Sequence, residues 1–278
     1  MSFDLRSAPA SIRLSRRPGA RLGAGLLIAG LIGLVSMPLG GCMTVKRMNG
    51  RALTLANAEL ADASQPYVVQ VENQLGSVRI FGNPDLKKPE VYAIATDPVI
   101  GTPGVRTKQP TAAELQAWVA ASVETTGEGK VLRVLSADPN LEKRPVLLNI
   151  FVPSITGVVV RNTGGHVHVR NVSGPVQIFN GLTTGNGGDV LVDTDAAING
   201  PLSVKARGGD VTVRVGAGSA GKLDIQGKLG AFVDAPERSI TGIRATPTTY
   251  RAEVGNAGQD FKVQSEDGKA TVLIKPAK

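Results

Sequence analysis

A short phrase of glycine followed by alternating residues recurs three times between Gly157 and Gln226. The copies begin at Gly164-Gly165, Gly187-Gly188 and Gly208-Gly209, at steps of 23 and 21 residues, and each continues with valine at every second position. Short strands separated by glycine turns at such a period are typical of a solenoid, in which each coil packs on the one before. Residues 157–226 therefore predict a mainly β fold, specifically a right-handed parallel β-helix or a related β-solenoid.

The alternation in each copy separates an inner face from an outer face. Val167, Val190 and Val211 hold equivalent positions and predict one buried column. The residues between the valines face outward, and neighbouring coils about 4.8 Å apart would align them in rows. We call the candidate ligand-facing set the outer ladder; it consists of His166, His168, Arg170, Asp189, Asp193, Asp210 and Arg214.

Metal binding is one possible use of the outer ladder. His166 and His168 are two residues apart on one predicted strand, so both side chains project from the same face, as zinc or copper ligands would. No third ligand is indicated, and the chain has one cysteine, Cys42, far from the repeats. The sequence therefore predicts no metal site. It predicts no cofactor either, because each Gly-Gly pair leads into a strand and not into the helix that a phosphate-binding loop requires.

Catalysis by outward carboxylates is the second possible use. Polysaccharide-cleaving enzymes act with paired carboxylates, and Asp193 and Asp195 share a face. The loops between the repeats are short, however, and Asp193 is predicted to lie between Arg170 and Arg214. The sequence favours a non-enzymatic surface; a carbohydrate-active enzyme using Asp189, Asp193, Asp195 and Asp210 is the alternative.

Composition restricts the partners. Aromatic residues are 4% of the 278 residues and there are 34 glycines, which suits thin stacked β structure better than a bulky enzyme core. The formal net charge is +8, but half of this excess lies before Cys42. The remaining excess is spread along the chain without a basic run interleaved with aromatic residues, so no nucleic-acid partner is predicted.

The first 41 residues have the organisation of an export signal, with a basic beginning, an apolar run from Leu22 to Val35 and small residues after it. This signal ends in Leu39-Gly40-Gly41-Cys42, which resembles the bacterial lipobox. The resemblance implies cleavage before Cys42, acylation of its thiol and attachment to membrane lipid. Ser15-Arg16-Arg17 leaves export by the general or the twin-arginine route open. Met43, where inner-membrane retention usually has aspartate, favours the outer membrane.

The rest of the chain divides into a lipidated tether, residues 42–65, and one domain, residues 66–278. The tether prediction follows from the lack of β alternation before Pro66. Inside the domain, Thr111 and Glu114 have the spacing of a capping box. They predict an amphipathic helix over about 112–123, inserted at about 111–124, with Trp118 anchoring it to the core.

The order of these features resembles a bacterial family of putative adhesins, a domain of unknown function with a β-helical head that occurs on lipoproteins. The matching pieces are residues 69–80, residues 148–153 and the Gly-Gly-Asp-Val phrases that follow, within a span from Tyr67 to Ile274. The resemblance implies an adhesin-like binding or structural module without established catalytic residues. The expected partner is a cell-envelope glycan or protein, and a role in envelope assembly or stress signalling is a further alternative.

Overall fold

The structure is a computed structural model that describes residues 50–62, 64–95, 110–127, 129–136, 145–181, 187–236, 240–255 and 258–277. The chain divides into two units, Met1–Val45 and Lys46–Lys278, and every described residue belongs to the second. The predicted export signal, its Leu39, Gly40 and Gly41, and the acylation site Cys42 lie outside the described residues. Among the described residues, no helix has the length and apolar character needed to span a membrane.

Strands dominate the described part of the chain, which confirms the mainly β prediction. One α-helix, α1, spans Ala112–Trp118, and a short 3-10 helix spans Ala58–Leu60. The strands are β1 (Arg51–Ala52), β2 (Tyr67–Asn73), β3 (Val78–Gly82), β4 (Glu90–Ala95), β5 (Val119–Thr126), β6 (Gly129–Ser136), β7 (Val146–Val152), β8 (Ile155–Asn162), β9 (Gly165–Arg170), β10 (Val176–Asn180), β11 (Gly187–Asp193), β12 (Leu202–Ala206), β13 (Val211–Val215), β14 (Gly221–Gly227), β15 (Gly230–Asp234), β16 (Ile240–Ala245), β17 (Thr249–Val254), β18 (Asp260–Ser265) and β19 (Lys269–Ile274).

The strands form two mixed sheets. Sheet A has the order β1, β4, β7, β3, β9, β11, β13, β19, β15, and sheet B has the order β16, β17, β14, β18, β12, β10, β8, β2, β6, β5. The inner strands of both sheets pair in parallel, for example β9 with β11 and β10 with β12. Antiparallel pairs lie towards the ends: β4 with β1 and β7 in sheet A, and β5 with β6 and β17 with β14 in sheet B.

The valine column that the repeats predict lies inside sheet A. Val190 pairs with Val167 on one side and with Val211 on the other, and all three side chains are buried. Sheet B contributes an equivalent inward row, which includes Val160, Ile178 and Val204. Both rows belong to one hydrophobic core. Because alternate residues of each strand point inward, the polar residues between them lie on the outward faces of the two sheets.

A buried asparagine ladder, formed by Asn73, Asn162 and Asn180, crosses sheet B where its strands end. The parallel register aligns the three residues, and none is more than 3% exposed. The Asn73 Nδ2 donates to Asn162 Oδ1 at 2.9 Å, and the Asn162 Nδ2 donates to Asn180 Oδ1 at 2.8 Å. Sequence patterns did not indicate this ladder, because Asn180 precedes a glycine, which indicates a turn, and Asn73 and Asn162 are 89 residues apart.

The described part of the tether packs on the domain. Leu53 is buried, its N–H donates to the Val91 carbonyl at 2.8 Å, and the Ala56 N–H donates to the Ala121 carbonyl at 2.8 Å. The Lys130 ammonium, itself nearly inaccessible, contacts the Leu60 carbonyl and the Asp62 carboxylate. The structure thus differs from the sequence expectation over 50–62. These contacts join residues far apart in the chain through main-chain groups, one leucine and one ion pair, so they leave no periodic signal in the sequence.

The predicted helix forms but ends earlier than expected. The capping box is present: the Thr111 hydroxyl accepts from the Glu114 N–H and the Glu114 carboxylate accepts from the Thr111 N–H. Leu115 is buried, and Trp118 is partly buried against the core, as predicted. The prediction of helix to Val123 is wrong, since Val119–Thr126 is strand β5. Antiparallel pairing with β6 buries the side chains of Val119, Ala121 and Val123 and outweighs their helical spacing.

Candidate functional surface

The outer ladder lies on the outward face of sheet A, on β9, β11, β13 and the turns before them. The register aligns Arg170 with Asp193 and Asp193 with Arg214, so the predicted row of three charges forms. The Arg170 Nη2 is 3.9 Å from the Asp193 Oδ2. A closer cation comes from outside the repeats: the Lys275 Nζ is 2.9 Å from the Asp193 Oδ1. The sequence analysis missed Lys275, which follows β19 and is brought here by the pairing of β19 with β13.

Asp193 and Asp195, the pair that a glycan-cleaving enzyme would need, are bridged by Lys275. The Lys275 Nζ also lies 2.7 Å from the Asp195 Oδ1. Burial opposes the charge of Lys275, but hydrogen bonds from its ammonium to Asp195 and Asp193 raise its pKa above the usual value. The shared ammonium thus lies against both carboxylates, whereas a glycosidase keeps its two carboxyl groups on either side of the bond to be cleaved.

Three further members of the outer ladder accept hydrogen bonds from the main chain of the next strand: His166, Asp189 and Asp210. The Asp189 N–H donates to the His166 Nδ1 at 3.0 Å, and the Asp210 N–H donates to the Asp189 Oδ1 at 2.9 Å. The series continues at both ends, from His166 to the Ser77 hydroxyl and from Lys269 to the Asp210 carboxylate. We call this series the corner relay. The corner relay accounts for the proximity of Asp189 and Asp210, because the main-chain N–H of Asp210 donates to the Asp189 carboxylate.

His168 is held as a neutral hydrogen-bond acceptor. The Arg170 Nε donates to its Nε2 at 3.1 Å, and its ring lies edge-on to Phe81 with centroids 5.5 Å apart. Burial lowers the pKa of His168, and the charges of Arg170 and Arg79 lower it further. His166 accepts the Asp189 N–H instead, so the two histidines have separate partners. Among the described residues, no group of three or more His, Cys, Asp or Glu is placed to hold a metal ion.

We expect His168 to make stability pH-dependent. In the unfolded chain this histidine takes up a proton near its ordinary pKa of 6.5, but the folded state resists protonation, so the contribution of His168 is complete above that value and is lost as the pH falls below it. Thermal unfolding of wild type and His168→Gln between about pH 5 and about pH 8 should show a weaker acid loss in the variant. Equal slopes in wild type and His168→Gln would contradict the assignment.

A second surface, on the outward face of sheet B, was not singled out by sequence reasoning. Phe179 pairs with Arg161 and Lys205 on neighbouring strands, and the row continues to Gln264 and Gln226. A shallow groove of about 170 Å³ runs along this row and the adjacent one. We call it the Phe179 groove; it is lined by Phe179, Ser203, Lys205, Asp224, Lys262 and Gln264, among others. The sequence signal that could have indicated this surface is Phe179 itself, an aromatic residue at an outward position of β10, where the other outward residue is Gln177.

Comparison with known proteins finds solved structures that match this chain at low identity. No protein-family model matches the chain, and no curated protein matches it. A solved structure described as a putative cell adhesion protein, from Clostridium sporogenes ATCC 15579, is 15% identical, with 80% of this chain and 96% of that chain covered and a TM-score of 0.45. Another, described as a putative adhesin, from Bacteroides fragilis NCTC 9343, is 11% identical, with 76% and 93% covered and a TM-score of 0.27. These values carry no argument about ligand or activity.

Proposed function

We propose that this protein is a lipid-anchored lipoprotein of the bacterial cell envelope whose β domain is a non-catalytic, adhesin-like binding or structural module. Acyl chains on Cys42 would fix it to the outer membrane, since two chains suffice for stable attachment. Its partner is a glycan or protein of the envelope, bound on an outward sheet face. The sequence supports the anchor, and the geometry of the two sheet faces supports the mode of binding.

The domain of this proposal is a right-handed β-solenoid. The alternation of the strands supports it: from β8 to β13, successive strands belong in turn to sheet B and sheet A. The strands β8, β9, β10 and β11 each pair in parallel with the strand two positions further along the chain. A chain that winds in this way exposes two broad sheet faces. The surfaces described above are accordingly shallow, unlike the enclosed pockets in which small substrates react.

The observation that carries the non-catalytic proposal is the use of every outer-ladder carboxylate in a bond that supports the fold. Asp193 and Asp195 bind Lys275, Asp189 accepts the Asp210 N–H, and Asp210 accepts the Lys269 N–H. General acid catalysis at neutral pH needs a carboxyl group whose pKa is raised by burial or by like charges. These carboxylates have cationic and main-chain N–H partners instead.

Fatty-acid labelling tests the anchor. Cells that express the full chain are grown with a radiolabelled fatty acid, and wild type is compared with Cys42→Ser. We expect label in the wild type alone, recovered with the outer-membrane fraction. Label retained by Cys42→Ser, or wild-type protein without label, would contradict the lipoprotein proposal.

A hydrolysis screen tests the enzymatic alternative. Wild type and the Asp193→Asn, Asp195→Asn double variant are incubated with a panel of oligosaccharides, and new reducing ends are measured. We expect no turnover by either protein above the buffer control. Turnover by wild type that the double variant loses would establish the carbohydrate-active alternative in place of our proposal.

A further inference from the structure

The Phe179 groove presents one aromatic ring among hydrogen-bonding side chains. The ring is partly exposed between Arg161 and Lys205, on strands that lie side by side. Within the described residues it is the one aromatic side chain on the outward face of sheet B. Covering the exposed part of this ring with an apolar surface is favourable, by about 25 cal/mol per Å² buried.

Hydrogen-bonding groups beside the ring are available to a ligand. In the part of the chain that the structure describes, neither the Ser203 hydroxyl nor the Gln264 side-chain amide has a hydrogen bond within the protein. Both side chains are partly exposed and both line the groove. A hydroxyl and a primary amide each offer donors and acceptors together, which suits a ligand that also has both.

Each charged side chain that lines the groove has an ion-pair partner of opposite charge. The Lys205 Nζ is 2.8 Å from Glu266, the Lys262 Nζ is 3.1 Å from Asp260, and the Arg251 Nε is 3.3 Å from Asp224. The Lys205 and Arg207 cations, in turn, lower the pKa of Glu266, first through the hydrogen bond from Lys205, so this carboxylate stays ionised. A groove built in this way does not select a ligand of either charge, and its affinity should depend little on salt.

We propose that the Phe179 groove binds an uncharged stretch of a polysaccharide. A sugar ring has an apolar C–H face, which fits the Phe179 ring, and a rim of hydroxyls, which fits Ser203 and Gln264. The groove is too shallow to enclose a small ligand, so an extended polymer that lies along the sheet is the occupant that fits. A protein partner fits less well, because protein interfaces need an apolar core and the face around Phe179 is polar. This inference rests on the proposed function, whose binding site it identifies.

Calorimetric titration tests the proposal. The purified full-length lipoprotein, in a detergent without a sugar headgroup, is titrated with cellohexaose, maltohexaose, xylohexaose and chitohexaose. We expect wild type to bind at least one of them, and Phe179→Ala to raise that Kd by about tenfold or more. Gln264→Ala should also weaken binding. Because Gln264 is a partly exposed polar residue, its replacement should leave the fold intact, so weaker binding by this variant cannot be attributed to unfolding. Phe232→Ala is the matched control, because Phe232 is a 52% exposed phenylalanine on sheet A, and it should keep the wild-type Kd.

Two results would overturn the inference. They are the absence of wild-type binding to all four oligosaccharides, and an unchanged Kd in both Phe179→Ala and Gln264→Ala. Failure here is distinguishable from failure of the proposed function. If the protein carries the fatty-acid label and is folded but binds no oligosaccharide, only the polysaccharide inference is overturned. If it cleaves an oligosaccharide, the proposed non-catalytic function is overturned.

Discussion

Gly174→Ala should lower the free energy of unfolding by about 3 kcal/mol or more, which would place it among the most damaging single substitutions in the domain. A Cβ at this position would stand 1.7 Å from the Thr156 carbonyl oxygen and 2.7 Å from the Thr156 carbonyl carbon. Both atoms belong to the main chain of strand β8, so no side-chain rotation relieves the contact. The chain around Gly174 would have to move away from β8, and this movement would weaken the parallel pairing of β10 with β8.

Urea unfolding followed by circular dichroism measures this effect, with Gly157→Ala as the matched control. Gly157 is also a buried glycine of the same region, but the nearest atom to a Cβ there is the Val68 Cγ2 at 3.3 Å, a methyl group that can shift. We expect the control to lose far less stability than Gly174→Ala. Similar losses in both variants would show that glycine is needed for chain flexibility rather than for close approach.

Asn162→Ala should cost about 2 to 4 kcal/mol, because it removes the middle of the asparagine ladder and leaves buried partners unsatisfied. The Asn180 Oδ1 would lose the Asn162 Nδ2 donor at 2.8 Å, and the Gly164 carbonyl would lose the same donor. The Asn73 Nδ2 would lose one of its two acceptors and retain the Gly76 carbonyl at 3.1 Å. A buried polar group without a partner costs more than a hydrogen bond contributes.

The matched control for the ladder is Asn199→Ala, since Asn199 is an exposed asparagine before a glycine. Equilibrium unfolding in urea should show a change within about 0.5 kcal/mol for this control. Asn162→Ala should reduce the denaturation midpoint without altering the slope, because the surface exposed on unfolding is nearly the same. A loss in Asn162→Ala no greater than in Asn199→Ala would mean that the ladder is dispensable.

The sequence predicted those features whose signal is periodic. Val167, Val190 and Val211 recur with glycine turns between them, and the alternation of each copy was enough to assign faces and register. Arg170, Asp193 and Arg214 followed from the same register. The capping box at Thr111 marked a helix start because its two partners are three residues apart and close their bonds locally.

Features that depend on distant partners were not predictable in this way. Val119, Ala121 and Val123 fit a helix by spacing, and only the pairing of β5 with β6 decides that they form a strand. Lys275 reaches Asp193 across 82 residues of sequence. The Phe179 groove is formed by side chains of several strands, so the outward phenylalanine of β10 does not reveal a groove by itself. Contacts over 50–62 depend mostly on main-chain groups, which any residue type provides, and on the distant Lys130.

The corner relay has a consequence for how such a domain can change in length. Each of its side chains accepts a hydrogen bond from a main-chain N–H and not from a particular side chain, so the same acceptor suits any strand that pairs beside it. Duplication or deletion of a whole repeat would therefore keep these hydrogen bonds without a compensating substitution. A domain of this kind can become longer or shorter by the duplication or loss of about twenty residues.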